Sequence, residues 1–176
     1  MNRLRIIANI TICLLATCLN VTVPGLLAAS ENTADRVEQI IAHRGASAER
    51  PECTLSAFAR AIEVGATAVE MDVRTTHDGK LYLLHDATLN RTTNGEGPAS
   101  DKTLAQLKQL DAGSWFDKEY QGERIPELRE ALNQCKTKID VLLDLKEQGT
   151  AYAQQVAAEV IKHGAPKRTI VGVRSV

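Results

Sequence analysis

The chain has 176 residues, a formal net charge of −1, 44% apolar residues and only 3% aromatic ones. That is enough apolar material for one domain with a hydrophobic core. The scarcity of rings argues against a stacking platform for bases or sugars, and the lack of a basic block excludes the electrostatic footprint of a nucleic-acid binder.

In chain order, Arg3 and Arg5 lead an apolar stretch from Ile6 to Val23, relieved by Asn9, Thr11, Thr17 and Asn20 and followed by Ala28-Ala29-Ser30. A positive start, an apolar middle and a small-residue exit read as a secretory signal peptide over residues 1–29. The protein is then exported, periplasmic or extracellular, with no stable membrane span after cleavage. A transmembrane anchor is the competing reading; Pro24-Gly25 and the polar interruptions weigh against it. Leu15-Ala16-Thr17-Cys18 is a poor lipoprotein cleavage site because of Thr17, which disfavours a lipid anchor at Cys18. Residues 30–176 form the remaining domain, with 19 basic and 22 acidic residues. Its two cysteines, Cys53 and Cys135, are either a disulfide of an oxidising compartment or two buried thiols.

Ile40–Ala42 reads as a short strand that delivers His43 and Arg44. Leu55, Phe58, Ala59 and Ile62 recur at helical spacing within Thr54–Val64, and Gly65 ends that helix. Ala66–Thr75 is a second strand, His77-Asp78-Gly79-Lys80 a turn, and Leu81–Leu84 a third strand. Thr88–Ser100 is loop, punctuated by Asn94-Gly95 and Gly97-Pro98. Thr103–Leu110 reads as a short helix, and Trp115 and Phe116 lie in the loop after it. Pro126 opens a helix through Leu132, placed in its first turn. Ile139–Leu145 is a strand, Ala151–His163 a helix ended by Gly164, and Arg168–Val173 a last strand. Strands alternating with helices imply an α/β fold with a mostly parallel sheet.

Chemically capable residues collect at three strand ends: His43-Arg44, Glu70 with Asp72, and Asp144 with Lys146. Glu70 and Asp72 stand two apart on a strand and leave the same face. Two such carboxylates repel unless something positive lies between them, and a hard dication, Mg²⁺ or Ca²⁺, suits oxygen ligands. A solvated strand face would give the same alternation. An Asp78-Gly79 two-residue hairpin would set Asp72 opposite His85. Arg44 offers a planar fork for phosphate oxygens, and two histidines titrating near neutrality can exchange proton roles. Together these groups suit cleavage of a phosphate ester. No serine or cysteine sits in a nucleophile-elbow context, and no glycine-rich phosphate loop is present.

The chain resembles the glycerophosphodiester phosphodiesterase family through "AHRGASAERPECT", "VEMDVRTTHDGKLYLLHDATLNRTTNGEG", "TLAQLKQLDAGSWF" and "RIPELREAL", in that order. These motifs run from Val37 to about Lys146. The resemblance implies a TIM-barrel (β/α) fold and metal-dependent hydrolysis of small glycerophosphodiesters to sn-glycerol 3-phosphate and an alcohol. It implies His43 and His85 as the acid/base pair, Arg44 as a phosphate contact, and Glu70 and Asp72 as metal ligands. It further implies Glu52 as an active-site carboxylate, Asp144 in place of a third ligand that is commonly Glu, and Lys146 near the phosphate. Cys53 stands where the family usually has Asn. His77 and His163 read as surface residues.

A whole eight-unit barrel takes about 250 residues, and residues 30–176 number 147. The expectation is a barrel cut to its N-terminal half or slightly more, with an unpaired sheet edge. A half-barrel that is native as it stands would self-associate to close the sheet, or would bind phosphodiesters without turning them over. The remaining rival is a related barrel enzyme acting on intact phospholipids, sphingomyelinase D-like. The lack of an exposed aromatic cluster favours the soluble diester.

Overall fold

The computed structural model describes residues 38–173. The reading of residues 1–29 as a signal peptide lies outside them. Five strands form one sheet: β1 (Ile41–Ala42), β2 (Ala68–Thr75), β3 (Leu81–Leu83), β4 (Asp140–Leu145) and β5 (Thr169–Gly172). The order is β1-β2-β4-β5, all parallel, and β3 runs antiparallel against the end of β2. Among the described residues four α-helices join in: α1 (Leu55–Glu63), α2 (Leu104–Leu107), α3 (Leu128–Cys135) and α4 (Thr150–His163). The mostly parallel α/β reading holds.

The alternation of β2 and β4 divides the sheet into two faces. Val69, Met71 and Val73, with Val141, Leu143 and Leu145, are buried in one cluster with Phe58 and Ala61 of α1, Leu128 and Leu132 of α3, and Val156 and Val160 of α4. Glu70 and Asp72 therefore leave by the other face. Because β2 and β4 are parallel in the register Glu70↔Leu142 and Asp72↔Asp144, Asp144 arrives beside Asp72 on that same face. A second apolar cluster, with Tyr82, Leu84, Leu89, Leu107 and Ile125, supports the long segment between β3 and α3. The outer strands keep exposed apolar side chains: Ile41 on β1, and Ile170 and Val171 on β5.

Helix α1 starts where its sequence says. Thr54 is the N-cap, its hydroxyl accepting from the Ala57 amide at 3.3 Å. Helix α2 carries a full capping box between Thr103 and Gln106, yet spans only Leu104–Leu107. In α3 the N-cap is Glu127, so Pro126 precedes the helix and is not in its first turn.

The β2–β3 hairpin corrects the expected register. The partners are Val73↔Leu83, Arg74↔Tyr82 and Thr75↔Leu81. Thr76 then pairs with Lys80, whose carbonyl accepts the Thr76 amide at 2.9 Å, and the loop is His77-Asp78-Gly79. Gly79 supplies the left-handed residue, φ 71°, that a three-residue hairpin needs. The two-residue turn does not form, and Leu84, not His85, faces Asp72: the Leu84 amide donates to the Asp72 carbonyl at 3.1 Å.

The loop after β1 is pressed against α1. Gly45 has φ 82°, and a Cβ there would lie 2.7 Å from Ala57 Cβ and 2.8 Å from the Ala57 carbonyl carbon. Gly45→Ala is expected to cost about 1–3 kcal/mol, from left-handed strain and overlap together, read as a lower urea midpoint at an unchanged m-value. An unchanged midpoint would mean that the loop moves away from α1 at no cost.

Candidate active site

The site begins with the β1–β2 register. Ile41 pairs with Ala68 and Ala42 with Val69, so the chain leaves β1 level with Glu70. The Arg44 amide donates to Glu70 Oε2 at 2.9 Å, and His43 Nε2 stands 3.9 Å from the same oxygen. The His43 ring is otherwise open to solvent, 68% exposed. Arg44 and Cys53 are the two non-glycine residues with positive φ among the described residues, 58° and 57°. They close the loop on each other, the Cys53 amide donating to the Arg44 carbonyl at 3.0 Å. Left-handed backbone at a side-chain-bearing residue is costly and is held only by such surroundings.

Glu70, Asp72 and Asp144 each bring a carboxylate oxygen to within 4.8 Å of the others. Glu70 and Asp72 are buried, at 7% and 1% exposure, so the face is no solvated strand. Burial and then the Asp72 charge push the Glu70 carboxyl up to about 7. Two cations offset the crowding. Arg44 Nε lies 3.5 Å from Asp72 Oδ2, and Lys146 Nζ lies 2.7 Å from Asp72 Oδ1 and bonds Asp144 as well. Burial tends to lower the Lys146 ammonium, but its bonds to Asp144 and Asp72 outweigh that and raise it. Three hard oxygen donors so gathered fit a divalent cation of the Mg²⁺ or Ca²⁺ kind.

Cys53 takes part without being a ligand. Its Sγ donates to Asp72 Oδ2 at 3.4 Å. Burial, reinforced by Asp72, Glu52 and Glu70, pushes the thiol well up, so it stays a donor. Cys135 is a buried free thiol in α3, and the two cysteines are not bonded to each other.

Glu52 sits beyond Arg44, accepting from its Nη1 at 3.1 Å. Burial raises the Glu52 carboxyl, but Arg91 and Arg44 outweigh it and hold it below the usual range. The sequence reading passed over Arg91 and Asp86. Arg91 donates to both oxygens of Glu52, at 2.7 and 2.9 Å, and to Asp86 Oδ2 at 2.7 Å. Asp86 Oδ1 lies 2.7 Å from His85 Nδ1. Thus His43, Arg44, Glu52, Glu70, Asp72, Asp144 and Lys146 form one contiguous set, and His85 joins it through Asp86 and Arg91. Asp86 follows directly on His85, and both Asp86 and Arg91 lie within the motif that carries the family resemblance; nothing in the sequence pairs either with Glu52. Trp115, Phe116 and Tyr120 pack edge to face in the α2–α3 connection, with Trp115 39% exposed. A small, partly exposed aromatic cluster is therefore present, contrary to expectation.

The fold and site define a parallel (β/α) protein with an acidic, arginine-lined centre at the carboxyl ends of its strands. Residues 43–167 match the glycerophosphoryl diester phosphodiesterase family, and the chain belongs to it. It is 54% identical over 91 residues to a glycerophosphodiester phosphodiesterase of Caldanaerobacter subterraneus subsp. tengcongensis, covering 52% of this chain and 37% of that protein. A crystal structure of glycerophosphodiester phosphodiesterase from Agrobacterium tumefaciens superposes with a TM-score of 0.74 at 37% identity, covering 79% of this chain and 59% of that one. A phosphodiesterase from Oleispira antarctica, solved in complex with the product sn-glycerol-3-phosphate, superposes with a TM-score of 0.68 at 40% identity, covering 76% and 55%. The TIM-barrel assignment rests on these structures, of which the chain spans little more than half. Among the described residues no helix is long and apolar enough to cross a membrane.

The raised Glu70 carboxyl carries a linkage consequence. Between about 4.5 and about 7 the folded chain binds a proton at Glu70 that the unfolded chain has released. In divalent-free buffer, stability is expected to fall as pH rises through that window and to level off above it. Glu52 and Asp86, both held low, titrate below the window. Glu70→Gln should flatten the slope relative to wild type in urea unfolding at stepped pH; identical slopes would refute the assignment.

Proposed function

We propose that the chain carries the catalytic centre of a metal-dependent glycerophosphodiester phosphodiesterase, releasing sn-glycerol 3-phosphate and an alcohol. The observation that carries this reading is the convergence of Glu70, Asp72 and Asp144 within 4.8 Å of one another, beside Arg44 and His43. These three residues would hold a divalent ion, Mg²⁺ or Ca²⁺, which when bound supplies charge stabilisation to the phosphoryl oxygens.

The chain's own residues do the rest. Arg44, its Nη1 held by Glu52 and its Nε facing Asp72, would offer its charge and its remaining N–H groups to a phosphate oxygen. Lys146, already drawn in by Asp72 and Asp144, adds a second positive charge. One of His43 and His85 takes the proton of the attacking oxygen while the other protonates the departing alkoxide. Attack by the glycerol's neighbouring hydroxyl would give a cyclic phosphate and the free alcohol. Water would then open the ring with the two histidines in exchanged roles. Glu52 supports Arg44 from behind, at 3.1 Å. The reading also takes residues 1–29 as an export signal and residues 30–176 as the catalytic region.

The test follows release of glycerol 3-phosphate from glycerophosphocholine. A chelator and Asp72→Asn should each abolish it, and His43→Ala and His85→Ala should each lower turnover by about 10²–10⁴-fold. Phosphodiester binding with no divalent-dependent release would instead make this a binding protein. A parallel assay on sphingomyelin and on the deacylated diester separates the lipid-cleaving alternative: preference for the lipid would overturn the substrate class.

A further inference from the structure

Arg91 is the most heavily used guanidinium among the described residues, and the reaction scheme gives it nothing to do. Its Nη1 and Nη2 grip both oxygens of Glu52, at 2.9 and 2.7 Å. Its Nε and Nη2 grip both oxygens of Asp86, at 2.7 and 3.1 Å. All three nitrogens are spent on two carboxylates that lie in different loops. Glu52 belongs to the loop after β1, which also carries His43 and Arg44; Asp86 belongs to the loop after β3, which carries His85. The side chain is 43% exposed, a setting in which a single ion pair adds little and ordering a long side chain is unfavourable. A fork engaged on two edges is a geometric device rather than a simple charge pair.

The far end of this bridge is an imidazole. Asp86 Oδ1 meets His85 Nδ1 at 2.7 Å. The His85 backbone is fixed separately, its carbonyl accepting from Arg74 Nη2 at 2.7 Å and Nε at 3.3 Å. The peptide and the ring of His85 are therefore held by different partners, and only the ring depends on Asp86. Arg91, through its hydrogen bonds and charge, keeps the Asp86 carboxyl far below the usual carboxylate range. Asp86 thus remains an acceptor, and a carboxylate at Nδ1 selects the tautomer with hydrogen on Nδ1.

We propose that Arg91 is a positioning residue that clamps Asp86 against His85, so that the imidazole keeps its hydrogen on Nδ1 and offers Nε2 as the acceptor, and that sets this ring relative to Arg44 through Glu52. The proposal rests on the reading of His85 as a proton carrier in phosphodiester cleavage. Its contribution to that reading is specific: the two histidines come from loops that share no strand pairing with each other, and Arg91 fixes one loop to the other. Asp86 is the intermediate, and Glu52 is shared between Arg91 and Arg44.

The test has one arm independent of turnover. On the full chain with ¹⁵N-labelled histidine, long-range ¹H–¹⁵N correlation spectra report the tautomer of each ring, and the His85 signals are identified by their loss in His85→Gln. Wild type should show the Nδ1–H pattern; Arg91→Gln and Asp86→Asn should both shift it toward a tautomer mixture. In the second arm Arg91→Gln should lower kcat by about 10–100-fold with KM changed less than about threefold, and Arg91→Lys should fall between. Arg91→Gln combined with Asp86→Asn should be no worse than the poorer single variant, since both act on one ring. The proposal is overturned if Arg91→Gln leaves the His85 tautomer unchanged, or if its only effect is a lower melting temperature with kcat intact. Loss of kcat in Arg91→Gln with an unmoved His85 pattern overturns it equally. Full activity in His85→Ala would remove the catalytic reading of that residue, while the spectra would still decide whether Arg91 sets the ring.

Discussion

Two carboxylates buried two residues apart on one strand are the constraint from which the rest of the site follows. Asp72 and Glu70 are almost wholly withdrawn from water, and like charges at that spacing in a low-dielectric setting are strongly unfavourable. The fold answers with donors and cations brought from three directions. From the start of the loop after β1 comes the Arg44 amide, donating to Glu70; from just past the end of β4 comes Lys146, ion-paired to Asp72 at 2.7 Å; from further along the β1 loop comes the Cys53 thiol. The left-handed backbone at both Arg44 and Cys53 makes sense in this light. Each residue turns a donor toward the acidic pair, and the Arg44–Cys53 backbone bond locks both turns at once.

The division of labour between the sheet faces separates the packed core from the charged centre. Val69, Met71 and Val73 bury against the helices on one side, and their burial supplies the hydrophobic stabilisation that a charged face cannot. The Asp72↔Asp144 register shows how cheaply the third carboxylate is obtained: once β2 and β4 pair in parallel, the same alternation that aims Asp72 aims Asp144.

Local periodicity carried most of the elements. The helical spacing of Leu55, Phe58 and Ile62 and the β-rich Ala66–Thr75 run both mapped onto observed elements within two or three residues. Turn chemistry was less legible. Asp78-Gly79 admits either a two-residue turn or the end of a three-residue one, and the choice fell on the latter because Thr76 could pair with Lys80. That single step moved His85 out of register with Asp72. Non-local ion pairing was not legible at all: Arg91 meets Glu52 across 39 positions, a separation that leaves no periodic trace. Asp144 and Lys146 were legible as a strand end, but their place beside Asp72 required the parallel register that only the folded chain supplies.

The same cations that steady the centre in the free chain are those a phosphate would need. Counted at ordinary charges, Glu70, Asp72 and Asp144 oppose Arg44 and Lys146, leaving one uncompensated negative charge. The raised Glu70 carboxyl, pushed up to about 7, is how the chain removes that excess with a proton. A dication among the three oxygens would remove it differently, displacing the proton and turning the local balance to one positive charge, which matches a singly charged phosphodiester. Under the proposed function, Glu70 would be the residue through which proton and metal compete, and Arg44 and Lys146, counter-ions to the acidic group in the free chain, would become anion contacts. The arginine bridge from Glu52 to Asp86 joins that balance at its edge: Glu52 pairs with Arg44 as well as Arg91, and the single charge of Arg91 leaves one of the two bridged carboxylates uncompensated, next to the His85 ring that Asp86 meets at Nδ1.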